Sequence, residues 1–528
     1  SYYYLRTYYY SIPTTLKTVA ITDATNISDG AFNNCKKITD IYLNDGITTL
    51  GDYAFANATV LKNFTIPQTV TSIGEGAFYE DSALTEMYIP DGVTDIKSYT
   101  FYGCTNINKL VIGKNVKNIG DYAFYNNSSL TSLNIPEKVA SIGASAFNGC
   151  SQIKEIIIPD SVTELGEYAF SGDSNATKLS IGSGITTIPS YVFEKCSALT
   201  TVTVPNTVTT INAAAFIGCS SLNEITLPFV GQSRTATGPE SAFGYIFGTT
   251  YIEEANQSNY YIYDKSTTNE TTTIGTRKST RSTDFVPARV AYSSSSWDPN
   301  VSTSLKYAWY SCYDYKDSSY YYLRTYYYSI PTTLKTVAIT DATQIADGAF
   351  NNCKNITSVT INSGLKSVGA HAFFNVPWYT NQKADFVIAG DGVLIKYNGT
   401  ANGVTLPENV KYIGGTVFQD KTTISEVNIH KNIVGIGREA FDGCTNLTSM
   451  VIPKTVTSIG TNAIPSTCTI HVYRPSAGYN YRDTNRVILN DSYTTGNDTF
   501  YYVVNDDGCV EIIGCVTTST EITVPTEI

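Results

Sequence analysis

The chain has 528 residues and a formal net charge of −11, with only 15% charged side chains against 41 tyrosines and an abundance of Thr, Ser and Asn. An acidic balance of this kind excludes a surface built for nucleic acid or an anionic membrane, where a basic face is needed, and no apolar run reaches transmembrane length. The polar, weakly charged composition suits a secreted protein that contacts sugars or other proteins.

In chain order, the first feature is a block. Residues 1–39 return at 319–357 with three changes, Asn26 to Gln344, Ser28 to Ala346 and Lys37 to Asn355, which marks an internal duplication. From Phe32 a phenylalanine then recurs at one unvarying interval, at Phe55, Phe78, Phe101, Phe124, Phe147, Phe170, Phe193 and Phe216. Such strict self-similarity means one supersecondary unit stacked on copies of itself, a repeat solenoid in which each unit meets only its neighbours.

Residues 130–153 illustrate the unit. Leu133 and Ile135 alternate with Ser132 and Asn134, a period of two that predicts a short strand with one buried face, and Pro136 ends it. Val139 and Ile142 form a second apolar pair. Gly143 follows and recurs as Gly51, Gly74, Gly120, Gly166, Gly414, Gly437 and Gly460, which predicts a turn needing either positive φ or close backbone approach. Ala146-Phe147 supplies the large inward ring, and the Asn-Gly-Cys after it reads as a helical turn too short to stand alone. The few inward side chains of one coil cannot offset the ordering of its backbone, so stability must come from stacking.

After Phe216 the rhythm breaks, with Phe243 coming later than the interval requires. Residues 251–318 are rich in Ser, Thr and Tyr and carry no period, which predicts an insert, either a long loop or a small irregular lobe. Its basic cluster, Arg277, Lys278 and Arg281, is a candidate contact for an acidic glycan or partner. A second array spans 319–475. Within it Phe350 and Phe373 keep the period, Asp391-Gly392 and Asn398-Gly399 predict a β-hairpin in residues 385–399, and Phe441 and Ile464 resume the count. Residues 476–528 read as a linker and the opening of a further array. The expected division is therefore 1–250, 251–318, 319–475 and 476–528, and the chain reads as an internal piece of a longer protein with an earlier array upstream.

The segments LTEMYIPDGVTDIKSYTFYGC (84–104), IKEIIIPDSVTELGEYAF (153–170) and LTSMVIPKTVTSIGTNAI (447–464) resemble the leucine-rich repeats of the BspA type, found in surface proteins of anaerobic bacteria and some mucosal protozoa. The resemblance implies a leucine-rich-repeat superhelix dominated by short parallel β-strands with brief helical turns. It also implies a non-enzymatic recognition or adhesion segment, on the cell surface or secreted, that binds a host or neighbouring-cell protein or a glycan, without nucleic acid and without membrane insertion. Two other readings stay open: a structural stalk or filament segment, and an accessory region of a larger carbohydrate-active enzyme.

Seven of the eleven cysteines, Cys35, Cys104, Cys150, Cys196, Cys219, Cys353 and Cys444, fall three residues after the marker phenylalanine. One shared position predicts buried, reduced packing residues. Of the others, Cys509 and Cys515 are spaced to pair across a hairpin. No Cys-x-x-Cys occurs, so no metal site is expected. His371, His430 and His471 share no spacing, and none of the common hydrolase, protease, kinase or calcium motifs is present, so neither catalytic residues nor a cofactor is expected. Candidate ligand contacts are instead the outward positions of the first strand, two columns running along the sheet. Tyr42, Tyr88 and Ile157 offer the large side chains that anchor binding, and Glu86, Lys109 and Glu155 stand beside them.

Overall fold

Each period closes one coil, and in a computed structural model of the chain the described residues are 15–254, 308–317, 320–473, 476–481, 486–489, 491–495, 498–504 and 510–516. The alternating apolar residues build the first side of the coil. In Glu86–Tyr88, Lys109–Val111, Glu155–Ile157, Lys178–Ser180 and Thr201–Thr203 the middle residue is buried and both flanks are exposed. Neighbouring coils pair in parallel one period apart, Glu86 with Lys109, Glu155 with Lys178 and Thr201 with Glu224. Residues 131–136 carry no strand, so this ladder is interrupted there, although Ile135 remains buried.

A second parallel ladder follows, which the sequence pattern did not predict. Its strands are two residues long, as in Asp95–Ile96, Asn118–Ile119 and Ser141–Ile142, each burying one aliphatic side chain. The glycines at the corner after it are there for close approach and not for positive φ. A Cβ on Gly74 would lie 2.3 Å from the carbonyl carbon of Gly51, and one on Gly143 would lie 2.5 Å from the amide nitrogen of Asp121.

The third side holds the phenylalanine. Around Phe124, left-handed residues Tyr122 (φ 55°) and Asn126 (φ 56°) alternate with residues outside the positive-φ region. Consequently the amides of Tyr122, Phe124 and Asn126 all point to the next coil and donate to Ala144, Ala146 and Asn148 at 2.7–2.8 Å. Alternation thus gives a turn the hydrogen-bonding reach of a strand. The rings inside it stack face to face from Phe32 to Phe216, with centroids 5.2–6.0 Å apart and planes within 18°. Among the described residues, helix is confined to short turns such as Gly238–Ser241, Phe243–Phe247 and Pro377–Thr380.

The two arrays form one stack. Glu224–Leu227 pairs in parallel register with Thr336–Ile339, Glu224 opposite Thr336 and Leu227 opposite Ile339. Residues 228–248 make the transition: the Phe216 amide donates to Ile246 O (2.9 Å), the Phe243 amide to Ala349 O (2.7 Å), and the Phe243 and Phe350 rings stack at 4.8 Å. Beside the joint, Thr249–Glu254, Tyr320–Tyr328 and Ala308–Asp317 form an antiparallel three-stranded sheet. Residues 255–307, with Arg277, Lys278 and Arg281, lie outside the described residues. Further along, Phe386–Ala389 and Val393–Tyr397 form an antiparallel hairpin whose second strand enters the second ladder against Tyr412–Ile413. A last antiparallel sheet comprises Asp491–Thr495, Asp498–Val504 and Val510–Val516; Cys509 lies outside the described residues.

Candidate functional site

The outward positions of the first ladder carry most of the exposed large apolar side chains among the described residues. Tyr42 is 55% exposed, Val111 45%, Ile157 44%, Val451 42% and Tyr88 38%. All five occupy the same register position, the last outward residue of the strand. The alternation that buries Met87, Leu110 and Ile156 at the middle of each strand necessarily turns these residues outward.

Four side chains gather at the strands Glu86–Tyr88 and Lys109–Val111. The Tyr88 hydroxyl donates to Glu86 Oε2 at 2.9 Å. Lys109 Nζ stands 3.5 Å from the same oxygen and 5.0 Å from the centre of the Tyr88 ring. The Tyr88 hydrogen bond and then Lys109 hold the Glu86 carboxyl below its ordinary pKa, while Tyr88 and Glu86 raise that of Lys109. Val111 lies directly opposite Tyr88 in the ladder. Three coils on, Lys178 Nζ pairs with Glu155 Oε2 at 3.2 Å, next to Ile157. Exposed ion pairs of this kind add little stability. What they do is cancel charge beside Tyr88, Val111 and Ile157, in an outward column that is uncharged but mixes these large side chains with Thr65, Asn134, Ser180 and Thr203.

The structure therefore brings Glu86, Tyr88 and Lys109 together, places Glu155 and Ile157 in a second group, and leaves Tyr42 apart, two coils from Tyr88. Val111, an outward position by the same period-two alternation, and Val451 occupy that register position too, and extending the alternation to the second array would have found Val451. A second feature escaped the sequence reading. Tyr79, Tyr102 and Tyr125 stack at 4.7 and 4.8 Å on the turn side, next to the stacked pair Tyr99 and Tyr122 at 5.1 Å. The signal was there, since tyrosine recurs two residues before and one after the marker phenylalanine. A shallow groove of about 630 Å³ runs along the second ladder, lined by Ser98, Asp121, Ser141 and Glu164 among others.

His371, His430 and His471 lie in different coils, with His430 Nε2 3.1 Å from Pro407 O. The period cysteines are free and buried, and the thiols of Cys104, Cys150, Cys196, Cys219 and Cys444 donate to the carbonyl of the preceding coil's phenylalanine at 3.0–3.3 Å. Among the described residues no three His, Cys, Asp or Glu side chains group as a metal site, and no helix is long and apolar enough to cross a membrane.

The sequence matches the pattern described as the BspA type leucine rich repeat region (6 copies) over residues 5–131, 117–243, 300–383 and 397–482. No curated protein matches it. Among solved structures it is similar to a leucine-rich repeat protein from Bacteroides ovatus, at 18% identity over 91% of this chain and 94% of that one, with a TM-score of 0.44. It is also similar to a leucine rich cell surface protein from Faecalibacterium prausnitzii, at 18% identity over 90% and 89% with a TM-score of 0.30. A third is the pneumococcal vaccine antigen PcpA, at 19% identity over 40% of this chain and 62% of that one, TM-score 0.30.

Proposed function

Since the chain belongs to the BspA-type leucine-rich repeat family, we propose that it is a non-enzymatic, extracellular recognition or adhesion segment that binds a host or neighbouring-cell protein or glycan through its sheet face. One observation carries this reading. Tyr42, Tyr88, Val111, Ile157 and Val451 are exposed at one repeated register position, and beside Tyr88, Val111 and Ile157 the carboxylates are paired with lysines. Large amphipathic or apolar side chains on rigid backbone give contact area at low entropic cost, the character of interface anchors. The same strip supports a protein or a glycan partner. The residues outside the described set, Arg277, Lys278 and Arg281, remain a proposed second contact.

The test compares the purified chain with a variant carrying Tyr42→Ser, Tyr88→Ser and Ile157→Ser on arrays of matrix proteins and glycans. All three side chains are exposed, so the variant keeps its thermal transition. Binding at least tenfold weaker in the variant is expected; equal binding by both proteins would remove the sheet face from the reading. The unbroken register through the joint also favours a stalk role, and failure of both proteins to bind any probe would give that role precedence.

A further inference from the structure

The charges of the first ladder stand in an order that is its own complement. One residue per coil, the first outward column reads Glu86, Lys109, Ser132, Glu155, Lys178. All five are exposed, as is Asn134 in the second column beside Ser132. The coil of Ser132 keeps its place in the stack, because the second ladder runs through it from Asn118 to Ser141 to Glu164. Within one chain Glu86 pairs with Lys109 and Glu155 with Lys178, yet each side chain leaves more than half of its surface in solvent, so all four stay available to a partner.

A twofold axis lying along the strand direction, between two faces and level with Ser132, reverses the order of coils and keeps each column opposite itself. Glu86 then meets Lys178 of the second copy and Lys109 meets its Glu155, and symmetry makes each contact twice. In the second column Val111 meets Ile157, both exposed aliphatic side chains, and Tyr88 lies over the small Ser180. Ser132 and Asn134, at the axis, are small enough for close approach. A twofold between Glu155 and Lys178 also pairs opposite charges, Glu155 with Lys178 and Lys109 with Glu224, but it sets Val111 against Thr226 and Ile157 against Ser180. The apolar column therefore selects the axis at Ser132. Further out Asp40 would meet Glu224, a like-charged pair that bounds the contact.

We propose that the sheet face over residues 86–180 is a homophilic contact whose occupant is a second copy of this chain, laid antiparallel. The proposal rests on the sheet-face reading and names its partner; antiparallel stacks point opposite ways, as copies on two facing cells do. Size sets its strength. Five coils at about 4.8 Å, with strands roughly 10 Å long, make a patch of about 25 by 10 Å, far below the roughly 800 Å² per partner of a stable interface. One contact is weak, and many acting together hold.

The experiment coats beads with the full chain and counts their clustering, so that many contacts act at once. The unaltered chain is expected to cluster. Lys109→Glu alone and Glu155→Lys alone each set like charges across the axis twice, and each should lower clustering at least tenfold. The double variant Lys109→Glu with Glu155→Lys keeps the net charge and exchanges the two partners, so it should cluster as the unaltered chain does. Both positions are exposed, and unchanged thermal transitions verify the fold. Dispersed beads with the unaltered chain, clustering indifferent to the single changes, or a double variant that fails to recover overturns the proposal. The array comparison with Tyr42→Ser, Tyr88→Ser and Ile157→Ser tests the sheet-face reading separately. A glycan or matrix protein captured by that face, with dispersed beads, would keep the face as a binding surface and overturn the second copy as its occupant.

Discussion

Three residues after the marker phenylalanine most coils carry a thiol, but some carry a polar residue, as at Asp81, Asn127 and Asp173, and the polar choice has a cost. Cysteine there is buried and donates its weak S–H to a carbonyl, leaving nothing unsatisfied. Asp81 takes the same place with one oxygen accepting from the Ala58 amide at 2.7 Å and the other unpartnered. Asp173 is fully buried at the same place, with the Cys150 amide as the donor nearest its carboxyl. Burial raises the Asp81 carboxyl to about 8 and that of Asp173 well above its ordinary value. The unfolded carboxyl releases its proton near pH 4, so between that pH and about 8 the folded state holds the Asp81 proton and stability falls as pH rises. Asp81 contributes a slope of about 1.4 kcal/mol per pH unit there. Replacing Asp81 with the column's own residue, Asp81→Cys, is expected to raise the urea midpoint more at pH 7 than at pH 5. A gain that does not change with pH would show that this carboxyl is not held protonated.

At the scale of the element, the duplicated block supplies its own control. Ala349 is 2% exposed, so Ala349→Glu places a carboxylate in the sealed joint and should cost about 3 kcal/mol or more, whereas Ala31→Glu, at the exposed counterpart in the first copy, should stay within about 0.5 kcal/mol. Thermal unfolding of the two variants decides it; equal losses would mean that Ala31 is as enclosed as Ala349. The legibility of the fold follows the same logic. The first ladder and the phenylalanine column were readable because each leaves a periodic apolar mark, Met87 between Glu86 and Tyr88 or Phe124 one period after Phe101, and the sheet-face candidates came with that alternation. The second ladder was not, because a two-residue strand such as Ser141–Ile142 buries one side chain and leaves no period. Glycine identity cannot separate positive φ from crowding, and only the 2.3 Å approach of Gly74 to Gly51 does so. The pairing of Ile225 with Val337 was hidden as well, since nothing local to either strand records a partner on the far side of an unperiodic insert. Tyr88, Glu86 and Lys109 meet because their register is one period. Tyr42 stays apart because two periods separate it from Tyr88.

Over the whole molecule, the joint decides how the chain answers force. Each coil folds about 75 Å of extended backbone into roughly 4.8 Å of stack. Tension applied between the ends therefore has a large store of slack to draw on, released one coil at a time as inter-coil ladders part. Extension traces of the tethered chain should rise in steps of one coil's contour length or its multiples, and a single all-or-none rupture would contradict that behaviour. The whole stretch of chain between Leu227 and Thr336 is bridged by the pairing of their two strands, so it is bypassed by the pull while the joint holds. When the joint opens, the chain between these two strands adds its length to the extension, so the step at the joint is expected to exceed that of a single coil.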